Sequence, residues 1–312
     1  MSARQPPPAD DGPEQDALER EQRESLERVE RGGIPLGAER RLRELGEGKG
    51  AFTSDLSVGS FALCHELGLQ PLAQVMGSSI YQVGYSSTLP SIYAGGFMYE
   101  LDALSQAWNE VRERAFSRLA EEAAHVGADA VVGVQITSGA REFTEGAIEC
   151  VVIGTAVRNG PLPPATARDG AVSAGAARPV LTELSVPDYA KLRRAGIETL
   201  GVTAWTSVFF IQSWAAGQLG LRGFIGNQEM SDYTQGLYEA REVVMSRVTA
   251  QAAHLGATGV VGVRVGHGVQ GSAQNGVIVS FNAIGTAIRQ DAADEFPSPK
   301  TIIDLTEGAT AL

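Results

Sequence analysis

The chain has 312 residues, 43% hydrophobic and 20% charged, a balance that supports buried cores in two ordinary domains. A net charge of −12 repels phosphate backbones and speaks against a nucleic-acid partner. Two cysteines, Cys64 and Cys150, are too few for a disulfide framework.

The first residues read MSARQPPPADDGPEQD and contain no apolar h-region. The apolar stretches are too short and too rich in Gly and Thr for a membrane span. The expectation is therefore a cytoplasmic protein with no membrane-spanning segment. Residues 1–50 read as a charged arm, partly disordered or helical. Disorder is expected to about residue 15. Glu and Arg alternate at helical spacing over residues 14–31, with a thin apolar stripe of Ala17, Leu18, Leu26 and Val29. That pattern fits a solvated helix; the alternative is a helix that binds a protein partner. A second short helix is expected over residues 38–45.

The next segments occur twice. Residues 124–134 (AHVGADAVVGV) match residues 253–263 (AHLGATGVVGV). Residues 153–158 (IGTAVR) match 284–289 (IGTAIR), and Leu56-Ser57-Val58 matches Leu184-Ser185-Val186. The matching blocks keep the same order, which marks an internal repeat. The boundaries read as 51–158 for the first copy, 159–180 for a Pro/Ala/Gly linker, 181–290 for the second copy and 291–312 for a flexible tail.

Each copy opens with a short helix, N-capped by Ser57 or Ser185 and ended by Gly68 or Gly196. A β-rich stretch follows (69–83; 197–211), then a Gly-rich connection. The strongest local signal is a long amphipathic helix. Leu104, Trp108, Val111, Ala115, Leu119, Ala123 and Val126 recur at i, i+3 or i+4 steps. Their counterparts 129 residues on are Tyr233, Leu237, Ala240, Val244, Val248, Ala252 and Leu255. Gly127 and Gly256 end these helices. A buried-type strand (130–136; 259–265), a turn-rich segment and a last strand (147–157; 277–288) complete each copy. The predicted fold is α+β: two tandem repeats of a small domain, each with a long helix packed on a short sheet.

The run from Glu110 to Phe116 into the helix end, then His125 to Val134, then Gly154 to Val157, resembles the YbjQ-like family, named for a heavy-metal-binding domain. The resemblance covers most of 56–158 and, more weakly, 184–289. It implies a small α/β domain that self-associates into closed rings, typically homopentamers, without known catalytic activity. This chain departs from the pattern by carrying two copies, which can pack as neighbours in one ring or enter two stacked rings. Thr258-Gly259 also replaces Asp129-Ala130.

The family name directs attention to metal ligands, so a divalent transition metal is the candidate cofactor. His125 and His254 occupy equivalent positions. Each lies two residues before a helix-ending Gly, where a cation complements the helix dipole; alternatively the two converge on one ion. Cys64, His65 and Cys150 are weaker candidates, because Cys64 corresponds to Leu192 and Cys150 to Phe281, both plain hydrophobes. No four-ligand zinc spacing, nucleophile elbow, Walker loop or dinucleotide fingerprint occurs, so the chain reads as non-enzymatic. Glu121 and Glu122 read as solvated charge on the long helix, and His267 as a residue of a Gly-rich turn. Asp129 reads as a residue that orients the turn or binds a cation, and Thr258 at its counterpart favours the turn role. Trp205, Phe209, Phe210 and Trp214 stand where the first copy has Gly77, Tyr81, Gln82 and Ser86. They signal either different core packing or an enlarged apolar interface. The function expected is an oligomeric binding protein for a heavy metal, or a ring-forming scaffold with no metal role, whose arm recruits a protein partner.

Overall fold

The computed structural model describes residues 12–84, 98–141, 146–160, 178–212, 229–273 and 276–290. The Gly-rich connections, most of the linker, the tail, Ser86 and Trp214 fall outside these ranges. So do residues 1–11, most of the segment expected to be disordered.

The arm forms two helices, α1 (Gly12–Glu30) and α2 (Leu36–Gly46). Its charges pair along and between the helices, as in Arg31–Glu27 and Arg28–Glu39. The arm is nevertheless docked. Ile34 and Leu42 are buried in the core of the first copy, and Arg118 donates to the carbonyls of Val29 (2.8 Å) and Gly33 (3.1 Å).

The first copy contains α3 (Val58–Glu66), β1 (Leu69–Gln82), β2 (Met98–Glu100), α4 (Asp102–His125), β3 (Ala130–Arg141) and β4 (Ala147–Asn159). The second contains β5 (Val180–Leu181), α5 (Val186–Arg194), β6 (Glu198–Gln212), α6 (Ser231–His254), β7 (Gly259–Ala273) and β8 (Gly276–Arg289). Ser57 and Ser185 cap α3 and α5 by accepting the amides of Ser60 and Asp188. The long helices end before Gly127 and Gly256, both at positive φ. Their apolar stripes face the sheets: Val111, Ala115, Leu119 and Ala123 are fully buried on one helix, and Ala240, Val244 and Val248 on the other.

Two four-stranded sheets result, in the orders β1-β4-β3-β5 and β2-β6-β8-β7. The fourth strand of each sheet comes from the other copy, an exchange that the repeat pattern did not reveal. β2 pairs antiparallel with β6, and β5 pairs parallel with β3. The strand after each long helix runs beyond the predicted span, through the segment expected to hold turns. His267 therefore stands in β7 opposite Phe281 and is exposed, instead of lying in a turn. Both β3 and β7 carry a bulge, between Val132 and Gln135 and between Val261 and Arg264. Gly133 (φ 65°) and Gly262 (φ 66°) supply the left-handed residue each bulge needs.

Glu122 corrects the reading of an outward, solvated acid. Its side chain is buried; it accepts the Met76 amide (2.9 Å) and an Arg41 guanidinium hydrogen bond (3.0 Å). The counterpart Gln251 accepts the Ala204 amide at 3.1 Å. The edge of each first strand that faces away from the last strand needs an acceptor there, and the helix supplies one. Asp129 and Thr258 likewise do one job, accepting the amides of Asn159 (2.8 Å) and Gln290 (2.9 Å).

Gly77 fixes how closely α4 approaches β1. A Cβ there would sit 1.9 Å from the Ala115 carbonyl oxygen and 2.7 Å from the Leu119 nitrogen. Trp205 stands at this position in the second copy, under the Arg247 guanidinium at 5.6 Å. Gly77→Ala is expected to destabilise the protein by at least about 1–3 kcal/mol in urea unfolding; an unchanged midpoint would contradict the contact. A second prediction concerns charge. Burial raises the Glu122 carboxyl above its ordinary 4.5. A raised carboxyl favours folding while protonated and loses that contribution as pH rises through 4.5 towards the raised value. Glu122→Gln should therefore raise the melting temperature at pH 7 and change it little at pH 4. A drop at pH 7 would mean that the Arg41 pair outweighs desolvation.

Candidate functional site: the seam between the copies

The two copies meet along a seam built from three kinds of contact. Along the edge of β6, pairing begins with β2 and continues with side chains. Met98 to Glu100 pair with Ile211 to Phe209, and the Leu101 amide donates to the Val208 carbonyl at 2.7 Å. Then α4 takes over. Ser105 Oγ accepts the Val208 amide (2.8 Å). The Asn109 amide group accepts from the Thr206 nitrogen (3.0 Å) and donates to the Thr206 carbonyl (2.7 Å), as a paired strand residue would. Arg112 donates to Thr206 Oγ1 (2.7 Å) and to the Ala204 carbonyl (3.1 Å). Ser105, Asn109 and Arg112 follow i, i+4, i+7 spacing, so one polar stripe of the helix satisfies one strand edge. The sequence carried that signal, beside the apolar stripe that masked it.

On the other side, the segment 180–184 runs along β3. The Val180 and Thr182 amides donate to the carbonyls of Asp129 and Val131, both at 2.9 Å. The bulge then turns two donors outward: Gly133 N to Leu184 O (2.9 Å) and Val134 N to Thr182 O (3.0 Å). The third contact is apolar. Cys64, Leu67 and Leu69 of the first copy pack with Val186, Tyr189 and Ala190 of the second. Phe210 reaches across to the first copy's core, its ring 5.2 Å from that of Tyr99, while Phe209 packs in the second. The aromatic cluster thus serves both the core and an interface, and that interface lies within the chain.

A cleft of about 660 Å³ opens at the seam, lined by Arg112, Gln135 and Ser138 of one copy and by Glu183, Arg264 and Asn282 of the other. Burial lowers the Arg112 guanidinium to about 10, which leaves it charged at neutral pH. The Glu183 side chain is nearly fully buried; its Oε2 accepts from Arg264 at 2.5 Å and its Oε1 has no hydrogen-bond partner among the described residues. Burial raises its carboxyl above the ordinary value.

The sequence-predicted ligands stand on four elements, α3, α4, β4 and α6. His125 and His254 end their helices and are exposed, His125 through Nδ1 beside the Glu121 carbonyl at 2.9 Å. His65 is exposed, edge-on to Phe61. Cys64 lies in the seam and Cys150 in the first core. Burial raises both thiols, Cys150 to about 11. A thiol held protonated is a poor metal ligand. Among the described residues, no three His, Cys, Asp or Glu side chains form a group that could hold a metal ion.

The family model YbjQ, described as "Putative heavy-metal-binding", matches residues 72–159 and again 193–291. The chain belongs to this family. The two YbjQ matches hold both long helices and every strand but β5, apart from the first residues of β1, and they leave out segment 178–192, which crosses the seam. An encapsulin nanocompartment protein of Mycobacterium tuberculosis is 34% identical over 274 residues, covering 87% of this chain and 97% of that protein. UPF0145 proteins of Clostridium novyi and Thermosipho melanesiensis are 38% and 33% identical. They cover 29% and 27% of this chain and 85% and 76% of their own lengths. The single-copy relatives thus match one YbjQ unit, and the mycobacterial protein matches the tandem pair.

Arg112→Ala removes charged donors from Thr206 and Ala204. It is expected to cost about 1.5–3 kcal/mol in urea unfolding; a loss below about 0.5 kcal/mol would show that the seam does not depend on this side chain.

Proposed function

We propose that this YbjQ-family protein is a non-enzymatic, self-assembling structural subunit. The observation that carries the reading is the exchange of strands between copies, since such a unit completes its sheet only with a neighbour. The mycobacterial relative is named for a nanocompartment and is matched over 97% of its length, which supports the same reading. No helix among the described residues is long and apolar enough to cross a membrane. Free buried cysteines agree with a reducing, cytoplasmic location, and the charge of −12 with a protein rather than a nucleic-acid partner. The arm offers a surface for such a partner, with Leu18 and Leu26 exposed on α1.

The second reading is heavy-metal binding, favoured by the family description and by the equivalence of His125 and His254. In this reading the histidines act as ligands together with donors from another chain.

Light scattering on purified protein tests the first reading: several chains per particle are expected, and a monomer at micromolar concentration contradicts it. Titration calorimetry with zinc, copper or nickel tests the second. It expects binding by wild type that is lost in His125→Ala/His254→Ala, and equal binding by both proteins removes these residues from consideration.

A further inference from the structure

The cleft at the seam is lined by two charged groups whose demands the chain leaves unmet. Arg112 donates through Nη1 to Thr206 Oγ1 and through Nη2 to Asn109 Oδ1 and the Ala204 carbonyl, all neutral acceptors. Its guanidinium stays charged at neutral pH. Among the described residues no Asp or Glu pairs with it, and its Nε makes no hydrogen bond. Glu183 presents the reverse case. Arg264 donates through both Nε (3.1 Å) and Nη2 (2.5 Å) to Oε2, which leaves the buried Oε1 an acceptor with no donor among the described residues. A desolvated charge without a counterion and a buried acceptor without a donor are both costly. We propose that the cleft is a binding site for a small organic anion, a carboxylate or a phosphate, that also carries a hydroxyl or amino group. The anionic group pairs with Arg112, and the hydroxyl or amino group donates to Glu183 Oε1. The cleft lies within one chain, so the site does not depend on self-assembly.

The repeat marks these features as particular to the seam. One wall of the cleft is the face of the second sheet turned away from α6. There Asn282 stands between Thr206 and Gly266 on the neighbouring strands, and Arg264 lies two residues before Gly266. At the same places the first copy has Val151, between Ser78 and Thr137, and Gln135. An amide thus replaces a valine and a guanidinium replaces an amide. Glycine replaces threonine at Gly266, where a Cβ would sit 3.0 Å from Asn282 Oδ1 and fill the space before it. Glu183 differs from its counterpart as well. Asp55 accepts from Thr155 Oγ1, whereas Thr286, the counterpart of Thr155, lies 3.0 Å from Thr182 Oγ1. The longer Glu183 side chain reaches Arg264 on the cleft wall instead. The cleft volume of about 660 Å³ falls in the range of small-molecule sites.

Titration calorimetry on the full chain tests the site with two probes of this chemistry, malate and glycerol 3-phosphate. At least one is expected to bind with a Kd of about 1 mM or tighter. Binding of malate alone identifies a carboxylate site, and binding of glycerol 3-phosphate alone a phosphate site. The analogue of the bound probe that lacks its hydroxyls, succinate or propyl phosphate, is expected to bind about tenfold more weakly. Gly266→Thr/Asn282→Val installs the first copy's residues, which the equivalent strands already accommodate. This variant should fold, with circular dichroism as the check, and weaken binding by about tenfold or more. Arg112→Gln should weaken it by a similar factor; if that variant does not fold, the double variant decides. The proposal is overturned if neither probe binds the wild-type chain, or if the analogue binds as tightly as its probe. A folded Gly266→Thr/Asn282→Val or Arg112→Gln that binds like wild type also overturns it.

Discussion

A sheet edge must satisfy its amides and carbonyls, and that demand organises this molecule. Neither copy supplies four strands for its own sheet. Each borrows a short strand from the other, and α4 extends the repair with Ser105, Asn109 and Arg112. Unpaired edges attract other chains, so the devices that close the inner edges also define what the outer edges lack. The packing follows from this. Val208 and Phe210, on β6, sit in the first copy's core, and Cys64, on α3, packs with the second copy's α5, because both elements lie at the seam.

Divergence between the copies reads as two solutions to one geometry. Gly77 lets α4 lie against β1 backbone to backbone, whereas Trp205 fills the same position in the second copy. Glu122 and Gln251 accept the same strand amide, one at the cost of burying a carboxylate that Arg41 partly offsets. Asp129 and Thr258 accept the same amide after the last strand. Positions that keep their task while changing residue mark the fold.

Much of this was legible in the sequence. The repeat, the long helices with their seven apolar positions, the serine caps and the helix-ending glycines rest on local periodicity and local hydrogen bonds, which short windows of sequence record. The exchange of β2 and β5 was not legible. Met98–Glu100 and Val180–Leu181 are too short to carry a pattern, and their partners lie about 110 and 50 residues away along the chain. Glu122 was misread because a carboxylate beside Glu121 resembles solvated charge until the strand edge above it is known. His65, Cys64 and Cys150 drew attention through residue type and the family name, and His125 and His254 also through their equivalence between the copies. The polar stripe on α4 drew none, although its spacing was visible, because serine, asparagine and arginine on a helix usually face water.

The central claim is that the inner strand edges are closed by the other copy of the unit. Amide hydrogen exchange addresses it at single residues. The account predicts slow exchange of the Thr206, Val208, Gly133 and Val134 amides, which Asn109, Ser105, Leu184 and Thr182 accept, and faster exchange at Thr206 in Asn109→Ala. Fast exchange of these four amides in the wild-type chain would contradict it.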